Sequence, residues 1–181
     1  ILQGIEMRLY LVGLIFCVIT VLTFIIGLNK DPKKIPSNLI NTTIPDFKLD
    51  HIGNGINNFN KTDLLEIDDV KIVNVFASWC PPCKIEHSQI SKLSEQHFIF
   101  GINQKDKKND LLNWLNKLGN PYQAIGSDTK GRASINWGVY GIPETFILDK
   151  HSKIRYKHVG PIMQRDLEEI KNIISVLENE D

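Results

Sequence analysis

Two closely spaced cysteines, Cys80 and Cys83, constrain the fold more than any other feature, because they stand between an apolar run and a helical pattern. The run from Val70 to Ala77 is β-branched and alternates little, which is typical of a strand buried on both faces. The two prolines between the cysteines open a helix to about Gln96, since proline in the first turn lacks only an N–H that has no helical partner. A strand, then Cys-x-x-Cys, then a helix predicts a redox-active pair on an α/β sheet.

The two sulfurs are expected to have different roles in thiol–disulfide exchange. A helix N-terminus favours the thiolate, which is the reactive form of cysteine. Cys80 lies at the open end of the helix and is predicted to be the exposed attacking thiol, whereas Cys83 begins the buried stripe and is predicted to be the resolving thiol. Because Pro81 and Pro82 offer no N–H, we expect the Cys80 thiolate to be only modestly stabilised, which favours a reductant over a strong oxidant.

Glu86 lies one helical turn after Cys83 on the same predicted inward stripe. A carboxyl group there would be partly desolvated, so its pKa would rise toward neutrality and it could exchange a proton with Cys83. The alternative is a solvated glutamate in the first turn that interacts favourably with the helix dipole. Both interpretations stay open at this point.

A second segment that carries chemistry runs from Gly138 to Asp149. Ile142-Pro143 enters a strand directly after a glycine, which is a natural place for a cis peptide bond, although such a turn by itself is equally a plain loop. A cis proline would leave the Ile142 backbone open to pair with a substrate strand, and Trp79 is predicted to complete this docking surface. Glu144 is a candidate second acid near the sulfurs, with a solvated glutamate at the strand edge as the alternative.

Charge and cysteine usage narrow the possible classes of protein. The chain has 21 basic and 21 acidic residues and no formal net charge, so nothing in it predicts binding to nucleic acid. Cys17, the third cysteine, falls in an apolar segment and is interpreted as a small apolar side chain. With no framework of structural disulfides left, Cys80 and Cys83 are either catalytic or metal-binding.

Strands alternate with helices through most of the chain, and a hairpin and a helix follow at the end. The predicted elements are a short edge strand at 44–49, a short strand near Phe59, a central strand at 70–77, a helix from 81 to about 96, a strand at 98–103, a helix at 109–118, a short strand at 122–125, a short helix at 129–136, a hairpin of 144–149 with 153–159, and a helix at 166–177. This order predicts a central mixed sheet flanked by helices, which is the thioredoxin architecture.

The chain is predicted to divide into an N-terminal flank at 1–8, a transmembrane signal-anchor at 9–28, a linker at 29–43 and a thioredoxin-like domain at 44–181. Residues 9–28 carry no charge and as a helix would span about 30 Å, which matches the hydrocarbon core of a bilayer. A cleaved signal peptide and a buried core helix are the alternatives. More positively charged residues follow the span than precede it, so the flanking charges alone would place the C-terminal domain in the cytoplasm.

The motifs together resemble a family of membrane-tethered periplasmic thioredoxin-like reductases of cytochrome c maturation, called CcmG or DsbE. Trp79-Cys80-Pro81-Pro82-Cys83 alone is typical of the whole thioredoxin superfamily. General thioredoxins carry a buried aspartate six residues before the first cysteine, where this chain has Asn74, so the glutamates become better candidates for proton transfer. The more specific resemblance covers roughly Ile44 to the C-terminus and rests on Glu86-His87, Gly101-Ile-Asn-Gln-Lys-Asp106, Trp114-Leu115, Leu118-Gly-Asn-Pro-Tyr122, Gly138-Val-Tyr-Gly-Ile-Pro-Glu-Thr-Phe146 and Ile154-Arg-Tyr-Lys-His-Val-Gly160.

The resemblance implies that Cys80 and Cys83 reduce the disulfide of apocytochrome c, directly or through a partner thiol protein, with electrons from a membrane thiol reductase. It implies a single-pass anchor in the inner membrane, a periplasmic catalytic domain and no cofactor beyond the redox-active disulfide. It also implies that Pro143 is cis and that Glu86 and Glu144 make the surroundings of the sulfurs acidic.

Two other functions remain as alternatives. A general periplasmic protein-disulfide reductase would share every motif, because substrate choice depends on surface shape. A copper chaperone would use Cys80, Cys83 and a histidine, but a proline next to the pair disfavours metal, and the histidines are scattered without ligand spacing.

Overall fold

The computed structural model describes residues 2–28 and 38–180 of the chain. Its N-terminal unit is one long helix, α1 (Leu2–Leu28). Among the described residues, only the window Tyr10–Gly27 is long and apolar enough to cross a membrane, with a mean hydropathy of 2.6. The side chains of this window, Cys17 included, are exposed on every side of the helix, so its length and composition fit a membrane span. The lysines that follow the predicted span lie outside the described residues.

The second unit is built on a five-stranded mixed sheet with helices on both faces. In chain order its elements are α2 (Lys61–Glu66), β1 (Lys71–Phe76), α3 (Pro81–Ser94), β2 (Phe98–Gln104), α4 (Lys108–Leu118), β3 (Ala124–Asp128), α5 (Arg132–Asn136), β4 (Glu144–Leu148), β5 (Ile154–Val159), a 3₁₀ turn (Gln164–Asp166) and α6 (Leu167–Glu178). The strands lie in the order β3-β2-β1-β4-β5. β1 and β3 pair with β2 in parallel, whereas β4 pairs antiparallel with both β1 and β5.

Apolar side chains cover both faces of this sheet, and the central strand β1 is buried along its whole length. Successive side chains of a strand point to opposite faces. Ile72 and Phe76 therefore join a first core, which includes side chains of α3, α4 and α6. Val73 and Val75 join a second core on the other face, which includes side chains of α2 and α5. This arrangement is the thioredoxin fold that the sequence predicts.

The predicted edge strand at 44–49 is wrong, because this segment crosses the sheet instead of pairing along it. Thr43 forms a single bridge with Lys153 beside β5, and Asp50 forms one with Ser127 of β3, so the two bridges lie at opposite edges. Seven extended residues reach about 23 Å, which is enough to cross five strands spaced about 4.8 Å apart. Ile44 is buried in the second core on the way.

The predicted strand near Phe59 is also wrong, since the chain there turns into the short helix α2. The side-chain oxygen of Asn60 accepts from Thr62 N–H at 2.7 Å and from Asp63 N–H at 3.3 Å. The Asp63 carboxylate in turn accepts from Asn60 N–H at 2.7 Å, which completes a capping box. The ring of Phe59 is buried in the second core, so its apolar character reflects packing and not strand pairing.

The folded domain begins before the predicted boundary at residue 44. Asn41 N–H donates to the Ile154 carbonyl at 2.7 Å, and Ile154 N–H donates to the Thr42 carbonyl at 2.9 Å. Residues 38–43, which we assigned to a linker from the sequence, are therefore held against the start of β5. Residues 29–37 of that linker lie outside the described residues.

Candidate active site

Cys80 and Cys83 form a disulfide at the N-terminus of α3, with their Cα atoms 5.3 Å apart. Cys80 is the N-cap residue of the helix, and Cys83 N–H donates to Cys80 Sγ at 3.2 Å. Pro81 and Pro82 have no N–H to donate, so the donor from Cys83 is the first that the helix offers. The prediction that Cys80 is exposed is wrong for the disulfide form, since Cys80 is 2% exposed and Cys83 is 1% exposed.

The loop that ends in Pro143 lies against the disulfide. The Ile142–Pro143 peptide bond is cis, which confirms the prediction for this bond. The Ile142 carbonyl oxygen is 3.7 Å from Cys80 Sγ, and Ile142 itself is half-buried. Pro143 is buried, and its carbonyl accepts from Gly160 N–H at 3.0 Å. The main chain next to the reactive sulfur is therefore that of Ile142, where the sequence places substrate docking.

The segment before Cys80 is held by the loop that follows β2. Trp79 is 57% exposed, and its indole N–H donates to the Lys105 carbonyl at 3.1 Å. The Asp106 carboxylate accepts from Ser78 N–H at 2.6 Å and from Ser78 Oγ at 2.8 Å. We did not predict from the sequence this clamp, in which Lys105 and Asp106 hold Ser78 and Trp79. The signal was available, because the carboxyl ends of the parallel strands β1 and β2 meet at one edge of the sheet.

Glu86 faces inward as predicted, and it is 1% exposed. Its Oε1 accepts from the Asn74 side-chain amide at 2.9 Å, and its Oε2 accepts from Ile162 N–H at 3.0 Å. Burial raises the pKa of Glu86 to about 7, and the hydrogen bonds from Ile162 and Asn74 oppose that rise. Of the two interpretations that the sequence leaves open for Glu86, the structure therefore shows the buried carboxyl group.

Asn74 connects Glu86 to a wider set of buried side chains. Its amide also donates to Thr145 Oγ1 at 3.0 Å, and its Oδ1 accepts from Tyr122 Oη at 2.9 Å. Burial, with a contribution from the charge of Glu86, raises the pKa of Tyr122, so the phenol stays a hydrogen-bond donor. In the described part of the chain, neither oxygen of Glu86 is hydrogen-bonded to a cysteine sulfur, because both accept from Asn74 and Ile162.

The structure does not bring Glu144 to the sulfurs, which corrects the prediction of a second acid there. Thr145 faces the first core with Asn74, so its neighbours Glu144 and Phe146 face the second core. The Glu144 side chain is fully buried, and its Oε2 lies 2.9 Å from Lys157 Nζ. Strand parity explains the error, because a shift of one residue moves a side chain to the opposite face.

His87, for which the sequence favours a polar helix residue over a metal ligand, lies buried on α3. It is 5% exposed, its ring meets the Trp114 ring edge-on at 4.3 Å, and its Nε2 is 3.2 Å from the Leu118 carbonyl. Burial lowers the pKa of His87, so the ring is neutral at pH 7 with a proton on Nε2 for that carbonyl. His87 therefore packs α3 against α4.

Known proteins are similar to this chain in sequence and in fold. A protein-family model described as Redoxin matches residues 40–174. The chain is 41% identical over 164 residues to the thiol:disulfide interchange protein DsbE of Allochromatium vinosum, with 89% of each chain covered. It is 40% identical over 152 residues to the protein of the same name from Pseudomonas aeruginosa, with 83% of each chain covered.

A solved structure has the same fold at lower identity. The secreted thiol-disulfide isomerase of Corynebacterium glutamicum superposes with a TM-score of 0.67 at 19% identity, covering 84% of this chain and 95% of that one. At this identity the superposition shows the fold, while the closer sequence matches show the family. The chain therefore belongs to the Redoxin family and, within it, to the DsbE thiol:disulfide interchange proteins, and it is a thiol–disulfide oxidoreductase.

Proposed function

We propose that this protein reduces disulfides of apocytochrome c, or of a partner thiol protein, during cytochrome c maturation on the periplasmic side of the inner membrane. The observation that carries the proposal is the Cys80–Cys83 disulfide at the N-terminus of α3, beside the Ile142 main chain. The membership in the DsbE family supports the redox chemistry. The apolar window Tyr10–Gly27 supports attachment to the membrane.

The reaction is two successive exchanges between sulfur atoms. The Cys80 thiolate attacks one sulfur of the substrate disulfide, so that a mixed disulfide forms and one substrate thiolate leaves. The Cys83 thiolate then attacks the Cys80 sulfur, the Cys80–Cys83 bond forms, and the second substrate thiolate leaves. The substrate gains two electrons and two protons, and the cysteine pair loses them. A membrane thiol reductase would return two electrons to the pair.

The surroundings of the pair fit a reductant. Among the residues that the structure describes, the Cys80 sulfur receives one backbone hydrogen bond, from Cys83, because both intervening residues are prolines. A thiolate with few donors is only modestly stabilised, and the most oxidising pairs owe their potential to a strongly stabilised reduced form. The Glu86 carboxylate is the base that would take the proton from Cys83 before the second exchange, since its pKa of about 7 lets it bind and release a proton near neutral pH.

Trapping the mixed disulfide tests both the chemistry and the substrate. The variant Cys83→Ala keeps the attacking thiol and removes the resolving one, so the substrate should stay bonded to Cys80. The trap is placed in the full-length Cys17→Ala background, because Cys17 is a free exposed cysteine that would give unrelated adducts. A matched control also carries Cys80→Ala and should trap nothing. Adducts are separated without reductant and identified by mass spectrometry.

The recovered adduct decides between the alternatives. Apocytochrome c or one dedicated thiol protein would support the proposal. Many unrelated exported proteins would favour a general disulfide reductase, and the absence of any adduct on Cys80 would contradict a reductase. Titration of the reduced protein with copper gives a separate check, because tight stoichiometric binding would favour the copper chaperone.

A further inference from the structure

Glu144 and Lys157 form an ion pair inside the domain. Glu144 Oε2 and Lys157 Nζ are 2.9 Å apart, and the two side chains are 0% and 3% exposed. The register of β4 and β5 sets Lys157 opposite Phe146, which lies two residues from Glu144 on the same face. A buried ion pair adds little net stability, because the cost of desolvating both charges offsets their attraction. The other contacts of the pair therefore indicate its role.

Both members of the pair hold the main chain of one loop. Glu144 Oε1 accepts from Tyr140 N–H at 3.0 Å and from Gly141 N–H at 3.3 Å. Lys157 Nζ donates to the Gly138 carbonyl at 2.7 Å. All three main-chain groups belong to the loop that joins α5 to β4, at residues 138–143. The carboxylate and the ammonium thus bind main-chain groups at three positions of this loop.

The loop has a solvent-facing side and an anchored side. Tyr140 is 70% exposed and Gly141 is exposed, while the carboxylate and the ammonium that hold them are buried. The Tyr140 ring also lies over the ammonium group, with Lys157 Nζ 4.6 Å from its centroid. The loop ends at Ile142, whose carbonyl oxygen is 3.7 Å from Cys80 Sγ.

We infer that Glu144 and Lys157 are positioning residues, which fix the Gly138–Ile142 main chain at the distance from Cys80 that a partner polypeptide must match. The inference rests on the proposed function, because it concerns a polypeptide whose cysteine becomes bonded to Cys80. Neither side chain contacts a sulfur among the described residues, so their effect passes through the loop. Loss of the pair should weaken binding of a polypeptide substrate and leave the reactivity of the sulfurs unchanged.

The test compares two disulfide substrates with the reduced full-length chain in non-ionic detergent, in the Cys17→Ala background because the free Cys17 thiol would also react with them. One substrate is a peptide with an internal disulfide, and the other is the small aromatic disulfide 5,5′-dithiobis(2-nitrobenzoate), which offers no main chain to the loop. Lys157→Met removes the ammonium and keeps an unbranched side chain. We expect the KM for the peptide to rise about tenfold, with kcat and the rate toward the small disulfide unchanged within about twofold. Lys153→Met, at an exposed lysine just before β5, is the matched control.

A second variant and a second measurement cover the case in which Lys157→Met does not fold. The double variant Glu144→Gln with Lys157→Met leaves no lone buried charge, and it should also raise the KM for the peptide. In the wild type, the exposed Tyr140 and Gly141 should exchange their amide hydrogens at least about a hundredfold more slowly than an unstructured peptide, because Glu144 holds them.

Four results would overturn or redirect the inference. A folded variant with the wild-type KM for the peptide would overturn it, and so would fast exchange of the Tyr140 and Gly141 amides. An equal loss toward both substrates would overturn it too, because the pair would then act on the sulfurs. A wild type that reduces neither substrate would instead contradict the proposed function.

Discussion

Replacing Glu86 by glutamine should change how the stability of the disulfide form depends on pH. Burial raises the pKa of this carboxyl from 4.5 in the unfolded chain to about 7 in the folded one. Between these two values the folded protein binds more protons than the unfolded chain, so the free energy of unfolding falls as the pH rises. At about 1.4 kcal/mol for each pH unit, the whole fall is about 3 kcal/mol.

The structure also predicts what glutamine keeps and what it loses. Its side-chain oxygen can accept from Asn74 or from Ile162, but its amide nitrogen cannot accept from the other donor. The unpaired donor costs about 1–3 kcal/mol at every pH. The free energy of unfolding of the variant is therefore expected to differ from that of the wild type by two amounts. One is constant, and the other is the contribution of Glu86, which depends on pH.

Urea unfolding of the oxidised full-length chain in non-ionic detergent, between about pH 4.5 and pH 8, measures this difference. The wild type should lose about 3 kcal/mol relative to Glu86→Gln across the range. Glu95→Gln removes an exposed carboxylate at the C-terminal end of the same helix, and its curve should stay parallel to the wild type. If the curves of wild type and Glu86→Gln were parallel as well, the buried carboxyl would not titrate near neutrality, and its role as a proton acceptor would have to be abandoned.

Two further substitutions test contacts that position the site and the sheet. Asp106→Asn should lower the free energy of unfolding by about 1–3 kcal/mol, because the Ser78 donors lose a charged acceptor. Urea unfolding measures this loss, and Asp110→Asn, at an exposed aspartate, is the control. Equal losses in the two variants would contradict the clamp. Burial lowers the pKa of Lys71, so the wild type should gain stability as the pH rises toward 10.5. Lys71→Met should lack that gain, and Lys130→Met, at an exposed lysine, should keep it. If the stability of the two variants depended on pH in the same way, the lowered pKa of Lys71 would be contradicted.

Local patterns predicted the parts of the site that lie within one element. The β-branched run identified β1, and the prolines identified the start of α3, so the position of both sulfurs followed from neighbouring residues. Glu86 was predicted to face inward because helical spacing relates it directly to Cys83. These predictions needed no knowledge of how the elements pair.

Features that depend on pairing between distant segments could not be predicted in this way. The face on which Glu144 lies depends on the register of Asn74 with Thr145, which a single strand does not reveal. The partner of Glu144 is Lys157, and nothing in the alternation of β5 distinguishes a buried lysine from a surface one. The segment 44–49 has the alternation of an edge strand, although it crosses the sheet between two single bridges.

That crossing segment has a consequence for self-association. The outermost strands of an open sheet expose N–H and C=O groups that can recruit a second copy of the chain and begin aggregation. Here one extended segment pairs with part of each outer edge of the sheet, beside β5 through Thr43 and at β3 through Asp50. A single segment thus covers part of both outer edges and reduces the number of main-chain groups with which a second copy could pair.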